Sequence, residues 1–140
     1  MDSISLKPSF TKLIPISHPK GDLFKILQKS SEQYLGFGEA YFTSINNGET
    51  KGWKRHKAMY LNLTVPIGAV RFNVLNDENG EQQVYLLGKE NYGRLFIPPG
   101  FWVAFTGMGD GFNLVLNIAS VEHDPNESEN RELKDFPLQL

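Results

Sequence analysis

The sequence contains no cysteine, so disulfide bonds and thiolate metal sites are excluded from the outset. It also has no apolar run near the ~20 residues that a transmembrane helix requires, so no membrane span is expected. The first ten residues, MDSISLKPSF, lack a basic stretch followed by an apolar one, and no signal peptide is predicted. These absences together favour a protein of the reducing cytoplasm.

An excess of positive charge is lacking as well. Lysine and arginine number 14 and aspartate and glutamate number 16, which gives a formal net charge of −2. Because nucleic-acid-binding domains usually carry a basic surface, no nucleic-acid partner is expected. The one basic cluster, KGWKRHK at residues 51–57, could bind a small anionic ligand or form a solvated turn between strands.

What the chain does contain is a series of short β-prone stretches between turn signals. Turn-forming residues occur at 46–48, 66–68, 76–80, 98–100 and 107–111. Strands at ~8–12-residue spacing are typical of a sandwich or barrel. The best helical candidate, residues 22–28, is short, and its apolar pattern also fits a strand. We therefore predict an all-β fold with one domain over residues 1–140, its core at about 37–121 and a C-terminal arm at 122–140.

Several common catalytic motifs are missing. The chain has neither a G-x-x-x-x-G-K-[ST] phosphate loop nor a G-x-S-x-G nucleophile elbow. Its three histidines are His18, His56 and His123, and no two of them are two or four residues apart. A local histidine pair that could begin a metal site is therefore absent.

Two segments carry a resemblance to a known family. Residues 90–101, ENYGRLFIPPGF, resemble the E-N-x-x-x-L-x-I-P-x-G-F signature of the dTDP-4-dehydrorhamnose 3,5-epimerases, and residues 51–56 resemble their R-G-L-H segment. The chain is closer to a short, divergent sugar-epimerase-like subgroup that has W-K-x-H, N-Y-x-R-L-x-x-P-P and N-I-A-x-x-x-H-D-P patterns. The resemblance spans roughly residues 37–125. It implies a cupin-type double-stranded β-helix, or jelly roll.

The chain departs from the family pattern at the positions that carry chemistry. Aligned on the glycine of R-G-L-H, the family's catalytic histidine falls on Lys54, and His56 lies two residues further on. The family's catalytic lysine falls on Leu61, and a pocket histidine falls on Val103. The late catalytic tyrosine has no clear match, since Asn117 or residues 122–123 occupy its place. Because Lys54 and Val103 replace two of the three cupin metal ligands, we expect no metal and no cofactor.

His56 and Lys54 are the predicted catalytic residues. Proton transfer next to a ketone needs a base for the α proton and a donor for the enolate. Histidine changes charge near neutral pH, which suits His56 to the base role. Lys54 could stabilise the enolate, or act as the base if it were desolvated. The alternative is that His56 only satisfies polar groups and that Lys54 is solvated.

Strand parity poses a difficulty for this assignment. In one continuous strand, Lys54 and His56 would share a face with Tyr60 and Asn62, opposite to Leu61. If Leu61 faces the interior, the two predicted catalytic residues would face outward. A bulge near residues 57–58 would resolve this conflict. Otherwise, another subunit or the N-terminal segment would have to cover the outer face.

The remaining polar and aromatic residues on strands are candidates for substrate binding. An arginine can pair with a diphosphate, a tyrosine or asparagine can hydrogen-bond a sugar, and a tryptophan can stack on a ring. Each also has an ordinary structural reading at a sheet edge, in the core or in a loop. The predicted substrate-binding residues are Tyr60, Arg71, Arg94, Trp102, Asn117 and His123.

As the resemblance implies, the predicted function is a metal-free nucleotide-linked 4-keto-sugar epimerase or ketoisomerase that serves bacterial surface polysaccharide synthesis. The alternative is a nucleotide-sugar-binding or accessory protein that keeps the fold but lacks the full catalytic set. The expected ligand is a nucleotide-diphosphate sugar. The resemblance also implies a homodimer, and unpaired edge strands give a physical reason for one.

Overall fold

Residues 6–140, which the computed structural model describes, form two five-stranded antiparallel sheets. The first sheet has the order β1-β7-β4-β9-β2 and the second has the order β10-β3-β8-β5-β6. The strands are β1 (Ser9–Lys12), β2 (Glu39–Ser44), β3 (Thr50–His56), β4 (Leu61–Ile67), β5 (Ala69–Asn76), β6 (Glu81–Gly88), β7 (Gly93–Ile97), β8 (Trp102–Gly107), β9 (Leu114–Ala119) and β10 (Ser128–Asn130). Two 3₁₀ turns, η1 (Pro125–Glu127) and η2 (Leu133–Asp135), lie in the C-terminal arm.

The prediction of an all-β fold is confirmed, and most strands end at the predicted turns. The exception is the turn predicted at 66–68, because β4 continues through Pro66 and Ile67 and only Gly68 separates it from β5. The helical candidate at residues 22–28 forms no helix, and Leu23 instead makes an isolated bridge with Ile16. Leu23 and Phe24 are about half exposed. A helix this short is unstable unless it buries an apolar face, and this segment buries none. In the described part of the chain, no helix is long and apolar enough to cross a membrane.

The core lies between the two sheets, and strand register shows which side chains enter it. Leu61 and Leu63 of β4 pair with Ile97 and Leu95 of β7. Residues paired across antiparallel strands share a face, so all four point inward. The buried residues of this core are Ile45, Met59, Leu61, Leu63, Val65, Val70, Phe72, Val74, Leu87, Leu95, Ile97, Val115 and Ala119.

The expected parity conflict does not arise, because β3 and β4 belong to different sheets. The chain crosses from the second sheet to the first at residues 57–60, which lie outside both strands. His56 and Leu61 can therefore both face the space between the sheets. Asn62 faces outward, where its Nδ2 donates to the Gln33 backbone oxygen at 3.0 Å. The crossover at residues 57–60, in place of the predicted bulge, allows His56 and Leu61 to face the same space.

The N-terminal segment between β1 and β2 covers the outer face of the first sheet through Arg94. The Arg94 side chain donates to the Asn62 Oδ1 at 3.0 Å, to the Ile26 oxygen at 2.9 Å and to the Gln33 Oε1 at 2.9 Å. Arg94 is 6% exposed, and burial lowers its pKa below the ordinary value. An arginine stays protonated at neutral pH, so three neutral acceptors hold a buried cation here.

We expect the Arg94→Met variant to lose about 2–4 kcal/mol of unfolding free energy, because three buried or half-buried acceptors lose a charged donor. Urea denaturation measures the loss. The control is Lys134→Met, which removes an exposed ion pair with Glu132 and should change stability by less than about 0.5 kcal/mol. Equal stability of the two variants would show that Arg94 does not anchor the N-terminal segment.

The C-terminal arm crosses the outer face of the second sheet. Its strand β10 pairs with β3. Further along, Phe136 lies against Trp53 and Trp102, with ring centroids 5.9 and 5.7 Å away. The Gln139 backbone oxygen accepts a hydrogen bond from Asn73 Nδ2 at 2.7 Å. The arm is therefore an ordered part of the fold that buries both tryptophans.

Candidate active site

A cavity of about 360 Å³ lies between the sheets, on the side of β2 and β3. Its floor is apolar and is formed by Leu61, Leu63, Phe72, Val103, Phe105 and Val115. Its polar side chains are Tyr41, Thr43, Lys51, Lys54, His56, Asn117, Asn130 and Arg131. A concave apolar site with a few convergent polar groups is typical of small-ligand binding.

An irregularity in β3 directs two lysines to this cavity. Lys51 pairs with Phe105 and Lys54 pairs with Val103, with a register shift between them. Residues three apart in a regular strand point to opposite faces, so the shift is what brings both lysines to one side. Gly52 lies inside it with a φ of 147°, and a Cβ there would lie 2.6 Å from Ala104 Cβ. Only glycine fits this close approach.

His56 faces the cavity, and Glu127 holds its imidazole ring through a hydrogen bond at Nδ1. Glu127 Oε1 lies 2.7 Å from His56 Nδ1, and the two side chains are only 10% and 12% exposed. The other oxygen, Oε2, accepts from the backbone N–H groups of Ala58 at 2.9 Å and Met59 at 2.8 Å. Glu127 thus fixes the crossover at residues 57–60 and the orientation of the imidazole together.

The charge state of Glu127 follows from these contacts. Burial alone would raise the pKa of Glu127, but the hydrogen bonds from His56, Ala58 and Met59 outweigh it and hold the pKa below the ordinary value. The carboxylate is therefore ionised at neutral pH and accepts a hydrogen bond from Nδ1–H of His56. This pairing assigns the tautomer, in which Nε2 carries the free lone pair.

Three cations line the cavity, and they differ in how firmly they are held. Lys51 Nζ donates to the Ser44 oxygen at 2.7 Å and to Thr43 Oγ1 at 3.3 Å, which ties β3 to the end of β2. Lys54 makes no ion pair or side-chain hydrogen bond with any residue in the range 6–140. Arg131 lies on the C-terminal arm, with its guanidinium 5.7 Å from the Trp102 ring. Lys54 is exposed and available to an anionic ligand in the cavity, whereas the exposed Arg131 side chain directs its guanidinium over Trp102, towards the outer face of the second sheet.

The far wall of the cavity carries a polar pair. Asn117 of β9 is opposite Tyr41 of β2, and Asn117 Nδ2 lies 2.9 Å from the Tyr41 hydroxyl. Asn117 is 1% exposed, whereas Tyr41 is 39% exposed. The pair places an amide and a phenol across the cavity from β3.

Of the eight residues predicted for the site, three line the cavity: His56, Lys54 and Asn117. The other five lie elsewhere. Arg71 pairs with Thr106 and Leu86 on the outer face of the second sheet. Arg94 lies beneath the N-terminal segment. The cavity therefore does not include the two arginines that were predicted to bind the substrate.

The aromatic candidates and His123 also lie outside the cavity. Tyr60 stacks on Phe96 with ring centroids 6.0 Å apart, away from the cavity. Trp102 is fully buried under the C-terminal arm, and its Nε1 donates to Asp77 Oδ2 at 3.1 Å. His123 is exposed, and its backbone N–H donates to Glu39. None of these three residues lines the cavity, although all three were predicted to bind the substrate.

Leu61 and Val103, the positions that match the family's catalytic lysine and pocket histidine, do line the cavity. The departures from the family pattern therefore alter the cavity wall itself, where two polar side chains are replaced by apolar ones. Among residues 6–140, no three histidine, aspartate or glutamate side chains converge in a way that could hold a metal ion.

Sequence reasoning missed Glu127, Tyr41 and Arg131. Glu127 lies 71 residues from His56 in an acidic stretch, where nothing distinguishes it from its neighbours. Tyr41 occurs on a β-prone strand, where a tyrosine is ordinary. The one available signal for Tyr41 was that it lies two residues from Thr43, so both polar side chains share one face of the strand. Arg131 had none, because the arm that carries it has no strand pattern.

Comparisons with known proteins give structural matches only. No family model matches the sequence, and no curated protein matches it. The structure is similar to a dTDP sugar isomerase from Desulfovibrio desulfuricans, with 29% identity over 94% of this chain and 89% of that chain and a TM-score of 0.88.

Two further solved structures share the fold at lower identity. A sugar 3,4-ketoisomerase from Thermoanaerobacterium thermosaccharolyticum, solved with TDP, is 20% identical over 95% of this chain and 93% of that one, with a TM-score of 0.76. A dTDP-6-deoxy-D-glucose-3,5-epimerase from Legionella pneumophila, solved with dTDP-4-keto-L-rhamnose, is 15% identical over 94% and 79%, with a TM-score of 0.78. The predicted cupin-type jelly roll is thereby confirmed.

Proposed function

We propose that this chain, which has the structure of the dTDP-sugar epimerase-like cupins, is an enzyme that moves a proton next to the ketone of a nucleotide-linked 4-keto-sugar. The reaction is an epimerisation or a ketoisomerisation. The observation that carries the proposal is the His56–Glu127 pair, which faces a cavity with an apolar floor and a cationic rim. The neighbouring structures support the substrate class, since two of them were solved with TDP or a dTDP-keto-sugar.

In this proposal His56 is the base. Ionised Glu127 holds Nδ1–H, so Nε2 takes the proton from the carbon next to the ketone. The electrons of the broken C–H bond form the C=C bond of an enolate, and its oxygen takes the negative charge. For an epimerisation, a proton from solvent at the cavity mouth adds to the opposite face of the same carbon and inverts it, and His56 then releases its own proton to solvent. A proton delivered to the former carbonyl carbon moves the ketone, provided that the neighbouring hydroxyl proton transfers to the other oxygen.

Lys54 is the group that stabilises the enolate. It lies two residues from His56 and on the same face of β3, so both point into the cavity. Its exposure at the mouth leaves it hydrated, which suits an electrostatic role and argues against the alternative that Lys54 is the base. A positive charge aimed at the developing oxyanion is a strong contribution to catalysis.

Arg131 is the residue that we assign to the diphosphate. It borders the cavity, its exposed guanidinium lies over the Trp102 ring with no carboxylate partner among residues 6–140, and a guanidinium can bind phosphate oxygens bidentately. We expect Arg131→Met to weaken the binding of a nucleoside diphosphate by about 10–100-fold, since a charged hydrogen bond is worth ~1.5–3 kcal/mol. Calorimetric titration at two salt concentrations measures this, with Lys89→Met as the control outside the cavity. Unchanged affinity in both variants would contradict the assignment.

A second candidate function is a nucleotide-sugar-binding protein without catalysis. It is favoured by one observation, the apolar Leu61 and Val103 at cavity positions that match the family's catalytic lysine and pocket histidine. Proton exchange separates the two functions. The enzyme incorporates solvent deuterium into a keto-sugar, whereas a binding protein leaves every C–H bond intact.

The first experiment is a thermal-shift screen of the protein against nucleoside diphosphates and their sugars. A ligand that binds only the folded state stabilises it by about 2.7 kcal/mol at 100 times Kd. We expect the largest shift with a thymidine nucleotide-sugar. No shift with any nucleotide-sugar would contradict both candidate functions.

The wider setting forms part of the same proposal. We place the reaction in bacterial surface polysaccharide synthesis, in the cytoplasm, with residues 1–140 acting as one domain in a homodimer. Phe42 of edge strand β2 is 62% exposed, and exposed apolar residues on an edge strand favour a partner. Light scattering at micromolar concentration should give twice the 15.8 kDa mass of the chain. A monomer mass would contradict the proposed dimer and leave the proposed reaction unaffected.

A further inference from the structure

Asn117 carries a buried polar atom that nothing in the described chain satisfies. The side chain is 1% exposed, and its Oδ1 has no hydrogen-bond partner. Its Nδ2 is already used, since it donates to the Tyr41 hydroxyl at 2.9 Å. A buried polar group without a partner is costly and is uncommon in folded proteins. A polar atom of this kind in a cavity wall points to a ligand.

The surroundings of Asn117 leave the cavity as the source of a donor. Register places Asn117 opposite Leu63 on one side and Tyr41 on the other, all on the inner face of the first sheet. Its inward neighbours along β9 are Val115 and Ala119, which have no polar side-chain atoms. The strands around Oδ1 therefore supply no side-chain donor other than Tyr41, which already contacts the amide nitrogen.

In the structure, the amide of Asn117 has its nitrogen towards the Tyr41 hydroxyl. With Nδ2 donating to the phenol oxygen, Oδ1 is left as an acceptor. The phenol proton has no acceptor among residues 6–140, so it too is free to point into the cavity. The pair therefore offers an acceptor beside a donor, which complements a hydroxyl and a carbonyl on neighbouring carbons.

We propose that Asn117 and Tyr41 recognise an α-hydroxy ketone, and this inference rests on the proposed function. Asn117 Oδ1 accepts a hydrogen bond from the sugar hydroxyl next to the ketone, and the Tyr41 hydroxyl donates to the ketone oxygen. Tyr41 also positions Asn117 by fixing its amide. A substrate without that hydroxyl leaves Oδ1 buried and unpaired, and sites built around a substrate hydroxyl discriminate strongly against its absence.

The test compares two ligands on three proteins. The ligands are a dTDP-4-keto-sugar with a hydroxyl next to the ketone and the analogue that lacks this hydroxyl, and the measurement is Kd by calorimetric titration. We expect the wild-type protein to prefer the hydroxylated sugar by about 100-fold. Asn117→Leu should bind both sugars equally, with the affinity that the wild type has for the deoxy analogue. Tyr41→Phe keeps the amide but frees its orientation, and should reduce the preference to about tenfold.

The outcomes separate this inference from the proposed function. Equal wild-type affinity for the two sugars, or an undiminished preference in Asn117→Leu, would overturn the inference and leave the proposed function in place. A wild-type protein that binds neither sugar overturns the proposed function and this inference with it. If Asn117→Leu does not fold, Tyr41→Phe decides, because its aromatic ring keeps the packing and only the hydroxyl is lost.

Discussion

Replacing His56 by asparagine is expected to reduce proton exchange and turnover of the keto-sugar by about 10³-fold, with little loss of stability. Asparagine keeps a hydrogen bond to Glu127 but cannot take a proton at neutral pH. General-base catalysis contributes about 10²–10⁴-fold in enzymes, so the loss should lie in that range. Solvent deuterium incorporation, followed by NMR, measures it. Nucleotide affinity should remain within about threefold of the wild type.

The matched control for this variant is His123→Asn, because His123 is exposed and contacts the rest of the protein through its backbone. It should exchange deuterium at the wild-type rate. If His56→Asn exchanges as fast as His123→Asn does, His56 is not the base, and another group in the cavity must take the proton.

Replacing Glu127 by glutamine is the second change with a large expected effect. The amide oxygen can still accept from the Ala58 and Met59 backbone N–H groups, and the amide nitrogen then faces His56 Nδ1. A donor at that position forces the proton of the imidazole onto Nε2, the nitrogen that must be free. In the serine-protease triad, a tautomer change of this kind lowers turnover by about 10⁴-fold. We expect a loss of about 10³-fold or more here.

Glu129→Gln is the control for Glu127→Gln. Glu129 is another carboxylate of the C-terminal arm, but it lies on the outer face and pairs with Arg55 at 3.1 Å. Its replacement should leave exchange within about twofold of the wild type. Full activity in Glu127→Gln would show that the carboxylate does not set the tautomer of His56.

The same carboxylate predicts how stability depends on acidity. The pKa of Glu127 is lower in the folded protein than its ordinary value, so the folded state favours the ionised form. Its contribution to stability is complete above the unfolded pKa of about 4.3 and is lost as the pH falls through the lower native value. Urea denaturation of the wild type should therefore show a stability loss on acidification that is smaller in Glu127→Gln.

Much of the fold could be predicted from the turn chemistry of the sequence. The turns at 46–48, 76–80 and 98–100 each separate two strands. Turns of this kind can be read from the sequence because glycine permits backbone conformations that other residues avoid and proline fixes its own φ. What the sequence could not reveal was that residues 57–60 carry the chain from one sheet to the other. That crossover depends on hydrogen bonds to Glu127, which is distant in sequence.

The site was harder to predict, because a polar residue on a strand can point either into the cavity or to the outer face of the sheet. Arg94 and Trp102 have the same local pattern as cavity residues, yet the terminal segments cover them on the outer faces of the sheets. His56 and Lys54 could be placed because they lie in a segment with a recognisable resemblance. Glu127 could not be placed, because only the packing of the C-terminal arm against β3 brings it next to His56.

Deuterium incorporation by the wild-type protein decides whether this protein moves a proton next to a ketone at all. The protein would be incubated in D₂O with TDP-4-keto-6-deoxyglucose, the sugar bound in a solved ketoisomerase of similar fold, and the sugar would be examined by NMR and mass spectrometry. We predict deuterium at the carbon next to the ketone, at a rate far above that of the sugar alone. Tight binding of the sugar with every C–H bond unexchanged would contradict the proposed enzyme and identify a binding protein.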